Sequence, residues 1–88
     1  MRTIWKFPLQ HEADTYLVPK GATPIHVAMQ NDLICVWMTV DSKANRVERR
    51  ISIHGTGNSL DHVGGRHIGS VLDGVYVWHV FDGGEKAE

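Results

Sequence analysis

Hydrophobic and polar residues alternate along much of this chain. Ile25, Val27 and Met29 are interleaved with His26, Ala28 and Gln30. Val47, Arg49, Ile51 and Ile53 are interleaved in the same way with Glu48, Arg50, Ser52 and His54. A repeat of two marks a strand with one covered face, because successive side chains leave opposite sides of a sheet. Ile4-Trp5-Lys6-Phe7, stopped by Pro8, reads as a first strand, and Thr15 to Val18 as a short second one. Arg66 to Leu72 is a further strand. Leu33 to Val40 and Val75 to Phe81 differ, because both of their faces are apolar apart from His79. Such strands need cover on both sides.

Turn residues punctuate the pattern. Val18-Pro19-Lys20-Gly21 fits a type I turn, with proline second and glycine fourth. Asn31-Asp32 and Asp73-Gly74 read as two-residue hairpin connections. Between Ser59 and Gly65 the chain is irregular, with a short helical turn expected at Ser59-Leu60-Asp61-His62. No stretch keeps helical periodicity for ten residues. The expectation is an all-β fold: a small antiparallel barrel or sandwich of six to seven short, meander-like strands. It forms a single β domain over residues 1–82, and residues 83–88 are read as a flexible C-terminal tail.

Composition narrows the class. With 88 residues there is room for one small domain. The lone cysteine, Cys35, forms no intrachain disulfide, and a reducing, cytoplasmic setting is expected. A net charge of −1 with interspersed signs lacks the basic stripe of a nucleic-acid binder. Arg46, Arg49 and Arg50, interrupted by Glu48, read as a solvated strand or loop end. No run approaches the roughly 20 apolar residues of a membrane span, so neither a membrane nor nucleic acid is expected as a partner. Two doubly apolar strands and three tryptophans in so small a chain predict a homo-oligomer, the alternative being a tight monomeric barrel.

The chemistry concentrates at Gly55-Thr56-Gly57-Asn58. Glycines allow positive φ and close approach, and successive N–H groups in such a turn can form a nest for an anion. Thr56, Gly57, Asn58 and Ser59 are the candidate hydrogen-bonding residues, Arg66 and His67 the candidate positive charges, and Trp5 and Trp78 candidate platforms for stacking a base. The turn lacks the third glycine of a dinucleotide fingerprint and the Gly-Lys-Ser/Thr of a phosphate-binding P-loop. Six histidines occur without a metal-ligand motif, so no metal or other cofactor is expected. Cys35, among apolar neighbours, lacks the setting of a reactive thiol. No catalytic set is assigned; an acid–base pair drawn from His54, Asp61 and His67 is the enzymatic alternative.

Thr3-Ile4-Trp5-Lys6-Phe7-Pro8-Leu9 resembles the opening of a family of very small phage-encoded proteins of uncharacterised function. The resemblance continues through Val18-Pro19-Lys20-Gly21-Ala22, Val27-Ala28-Met29-Gln30, Val36-Trp37, Gly55-Thr56-Gly57, Ile68-Gly69-Ser70-Val71 and Val77-Trp78-His79-Val80-Phe81. The sequence departs from it at Asn58, where the family pattern has histidine. Small phage proteins commonly act by binding, either blocking a host enzyme or sequestering a nucleotide signal of host defence. The resemblance therefore implies a non-enzymatic phage accessory protein that holds a small anionic, nucleotide-type ligand, with an inhibitor of a host defence protein as the alternative.

Overall fold

The computed structural model describes residues 1–86. Seven strands follow one another: β1 (Arg2–Pro8), β2 (Thr15–Pro19), β3 (Thr23–Gln30), β4 (Leu33–Asp41), β5 (Arg46–Gly55), β6 (Arg66–Asp73) and β7 (Tyr76–Glu85). They form two antiparallel sheets, ordered β1-β4-β3 and β2-β5-β7-β6. The sheets stack as a sandwich and do not close into a barrel. Val18, Val36, Met38, Ile51 and Val80 are completely or almost completely buried in the core. Each such side chain stabilises the fold by about 1.5–3 kcal/mol relative to an exposed position.

The connectivity is not the meander expected. Only β3–β4 and β6–β7 are hairpins between chain neighbours, while β1 pairs with β4, β2 with β5 and β5 with β7. A single alternating sheet would leave its apolar face bare, so the chain passes between two layers and covers each with the other. Leu9 and Ala22, in two of the three crossing segments, are buried in the core. The doubly apolar strands are interior strands. β4 lies between β1 and β3, and β7 between β5 and β6. On the outer side of β4, Cys35 is buried between its register neighbours Pro8 and Ala28, and Trp37 is half-buried against His26.

The turns form where expected, two of them one residue late. Asn31 and Asp32 both have positive φ, 53° and 64°, as a type I′ hairpin requires. The last hairpin turns on Gly74-Val75, because Asp73 pairs with Tyr76. Only Gly74 has positive φ there, which makes the turn type II′. Near Pro19, the Ala22 N–H donates to the Pro19 carbonyl at 3.1 Å, and Gly21 takes φ 83°. That is a type II turn over Pro19–Ala22, not type I over Val18–Gly21. Ser59–His62 forms no helix; a single turn is closed by Val63 N–H on the Leu60 carbonyl.

Two further expectations are corrected. Gly83, Gly84 and Glu85 belong to β7, and the Glu85 carboxylate accepts the Gly21 N–H at 2.6 Å. The folded unit therefore runs past residue 82; residues 87–88 of the expected tail lie outside the described residues. Arg49 is not solvated. Its guanidinium donates two hydrogen bonds to the Asp82 carboxylate, at 2.9 and 2.6 Å, and a third to the Ala22 carbonyl at 2.6 Å. The Gly84 N–H donates to the same carboxylate at 2.9 Å. Burial pushes the Asp82 carboxyl up and is the largest single influence on it. The hydrogen bonds from Arg49 and Gly84 and the charges of Arg49 and Arg66 together outweigh burial and hold it below the ordinary carboxylate value. A bidentate pair of this kind satisfies both charges where water is excluded.

Close approach joins the layers elsewhere. A Cβ on Gly69 of β6 would stand 2.7 Å from the Val27 Cβ of β3, so only glycine lets these two strands meet across the sandwich. Pro8, Pro19 and Pro24 lie in β1, β2 and β3, each at the edge of its sheet. The fourth edge strand, β6, carries a bulge between His67 and Gly69.

Candidate functional site

Register places a compact polar grid on the outer face of the four-stranded sheet. Ser52, Phe81 and His67 lie in one row across β5, β7 and β6, and His54, His79 and Ser70 in the next. The bulge at Ile68 is decisive here. Without it, His67 and Ser70, three residues apart, would point to opposite faces.

The side chains in the grid are tied together. Ser70 Oγ lies 2.8 Å from His67 Nε2 and 2.7 Å from His79 Nδ1. His79 Nε2 lies 2.8 Å from Thr56 Oγ1, and His54 Nε2 lies 2.7 Å from Ser52 Oγ. His54 and His67 both meet Phe81 edge-on, with ring centroids 5.6 and 5.5 Å away. A serine hydroxyl has a single proton. Ser70 can therefore donate to only one of the two imidazoles and must accept from the other, which couples the tautomers of His67 and His79. When Ser70 donates to His67, His79 donates to Ser70 and accepts from Thr56. In the opposite setting every bond reverses.

Gly55–Asn58 closes as a turn, with the Asn58 N–H donating to the Gly55 carbonyl at 3.1 Å and Gly57 at φ 90°. That N–H is committed to the turn and is not free for an anion. Gly55 is closely packed: a Cβ there would come within 3.1 Å of Asn58 Nδ2 and 3.2 Å of the Trp78 ring. The segment after the turn folds over the grid. Its end is pressed against β7, where a Cβ on Gly65 would overlap the Asp82 carbonyl oxygen.

Two depressions result beneath this segment. The first, about 250 Å³, is lined by Thr56, Gly57, Asn58, Leu60, His67 and Phe81, with Gly55 and His79 completing it. The second, about 610 Å³, is lined by Arg50, Ser52, His54, His62, Gly64 and Lys86 among others. A third, about 490 Å³, lies across the glycine turn and is lined by Thr56, Asn58, Tyr76 and Trp78 among others.

Of the residues expected at the site, Thr56, Gly57, Asn58 and His67 meet in the first depression. Ser59 does not line it; its Oγ accepts the Asp61 N–H. Arg66 stands opposite Asp82 at the start of β6 and lines none of the three. Trp78 lies in the third depression, stacked on Tyr76 at 5.5 Å and 21°. Trp5 packs against the core, with Arg46 4.8 Å above its ring, and lines none of these depressions. His79, Phe81, Ser70 and Arg50 were not marked by the sequence. Their common signal is alternation within β5, β6 and β7, but it becomes a site only once strand order and the bulge are known. No three His, Cys, Asp or Glu side chains among the described residues are grouped as a metal ion requires.

A family model described as a domain of unknown function (DUF7352) matches residues 1–88. The chain belongs to that family. The match includes the glycine turn and the three strands that carry the grid. No curated protein and no solved structure matches the chain. Among the described residues no helix is long and apolar enough to cross a membrane.

Proposed function

We propose that this protein is a non-enzymatic binding protein that holds a small anionic, nucleotide-type ligand on the outer face of its four-stranded sheet. The observation that carries this reading is the convergence of Thr56, Gly57, Asn58 and His67 on one cavity floored by Phe81. An aromatic ring, an aliphatic side chain and a few convergent polar groups are the usual composition of a small-molecule site. The coupled imidazoles suit such a ligand, since the His67–Ser70–His79 chain can present either donors or acceptors. In a phage protein the role would be sequestration of a host defence signal in the host cytoplasm. A homo-oligomer belongs to the same proposal, with Ile4, Leu33 and Trp37 on the outer face of the three-stranded sheet as the contact surface.

A thermal-shift screen against linear and cyclic nucleotides tests the reading, because binding to the native state raises the melting temperature by mass action. The expected result is a selective shift, lost in Thr56→Ala and His67→Ala. A flat response to every nucleotide removes the reading. It would then favour the second one, an inhibitor that docks on a host protein. That alternative is supported by the tip of the β6–β7 hairpin, where Leu72, Val75 and Tyr76 are 75, 92 and 60% exposed.

A further inference from the structure

Two depressions share the grid, and the structure treats them differently. The first has no lysine or arginine in its lining. At about 250 Å³ it also falls short of the roughly 300–1,000 Å³ typical of ligand pockets. The second is larger and brings Arg50 and Lys86 to one rim with His54 and His62. The two adjoin: His54 of the second meets Phe81 of the first edge-on, ring to ring.

We propose that the second depression is a phosphate subsite, and that the ligand is a nucleoside phosphate spanning both. The base would lie against Phe81, Leu60 and the coupled histidines, and the phosphate against Arg50. This rests on the reading above and assigns its charged end. Arg50 reaches the outer face through the alternation of β5, and it has no ion pair among the described residues. Lys86 is already 3.3 Å from Glu48, which leaves Arg50 the cation with most to gain from an anion. Asp14, whose Oδ1 accepts from Thr15 Oγ1, is the carboxylate on this rim. Gly64 also lines it, with open space where a side chain would stand, so a tetrahedral anion can approach the backbone there. Arg66, the phosphate ligand expected from the sequence, has no place in this arrangement.

Calorimetric titration with adenosine, guanosine, their 5′-monophosphates and inorganic phosphate separates this inference from the reading beneath it. The expected result is that one monophosphate binds at least about tenfold more tightly than its nucleoside, as a charge-assisted bond to phosphate implies. Arg50→Gln should reduce the monophosphate to the level of the nucleoside, leaving nucleoside affinity and melting temperature unchanged. Asp14→Asn should tighten monophosphate binding. If nucleoside and monophosphate bind equally, or Arg50→Gln binds the monophosphate as tightly as the parent, the phosphate subsite is overturned while the base cavity stands. If neither nucleosides nor monophosphates bind, both fall together.

Discussion

Asp82 occupies an inward position of β7 between two layers of apolar side chains, and it is tolerable there chiefly because of Arg49. Removing one partner of a buried pair leaves the other charge without compensation, which typically costs about 3–5 kcal/mol. Asp82→Ala should therefore lower the urea midpoint steeply, with a loss of that size. The same carboxylate makes stability depend on acid. Its folded pKa lies below its unfolded value, so its contribution is complete above about pH 4 and is lost as pH falls through the folded value. Denaturation curves below pH 4 should show the parent losing stability faster than Asp82→Asn. Asp41, lowered by the Lys43 N–H and the N-terminal ammonium, adds to the same slope from the surface and is unchanged in that comparison. The two ends of the Arg49–Asp82 pair show what single residues reveal in a sequence. Arg49 alternates in phase with Val47, Ile51 and Ile53, but its charge reads as solvated in the sequence, because the partner that lets it turn inward lies 33 residues away. The glycine turn was legible because its residues are local and glycine alone tolerates φ 90° at Gly57.

At the scale of elements, turns and bulges decide which face a side chain reaches. All seven strands were readable from alternation and turn residues, yet the grid was not. It requires β5, β7 and β6 to be neighbours and one extra residue at Ile68. Nothing in Arg66-His67-Ile68-Gly69-Ser70 announces a bulge before the inward contact of Gly69 is known. That contact gives a direct test. Gly69→Ala drives a methyl into Val27 and should cost about 1–3 kcal/mol, as overpacking does. Combining it with Val27→Ala should recover part of the loss, and a double-mutant cycle in urea measures the coupling. The first hairpin offers the opposite sign. Asp32 sits at φ 64°, so Asp32→Gly creates the preferred Asn-Gly turn and should raise the melting temperature by several degrees.

For the molecule as a whole, the outer face of the three-stranded sheet carries an apolar patch outside the core. Ile4 and Leu33 are exposed there beside the half-buried Trp37. If two copies meet on it, light scattering should report a dimer that Ile4→Lys together with Leu33→Lys converts to a monomer with its fold intact by circular dichroism. Strands that alternate and strands that do not leave a barrel and a sandwich equally open, and strand order decides for two layers. The crossing connections did not follow, since short strands of similar pattern can be threaded several ways.

The placement of the prolines limits how copies of this chain can meet. A strand at a sheet margin offers unpaired N–H and C=O groups to any other extended chain, and proline withdraws one donor and resists pairing. With Pro8, Pro19 and Pro24 in three margins and a bulge in the fourth, every edge of both sheets is blunted against end-to-end growth. Contacts between copies are thereby steered to faces, which close into small assemblies, and away from edges, which propagate into fibrils. A sandwich dominated by long-range pairings folds slowly and spends time with its strands unprotected. These four devices guard it during that interval as well as afterwards.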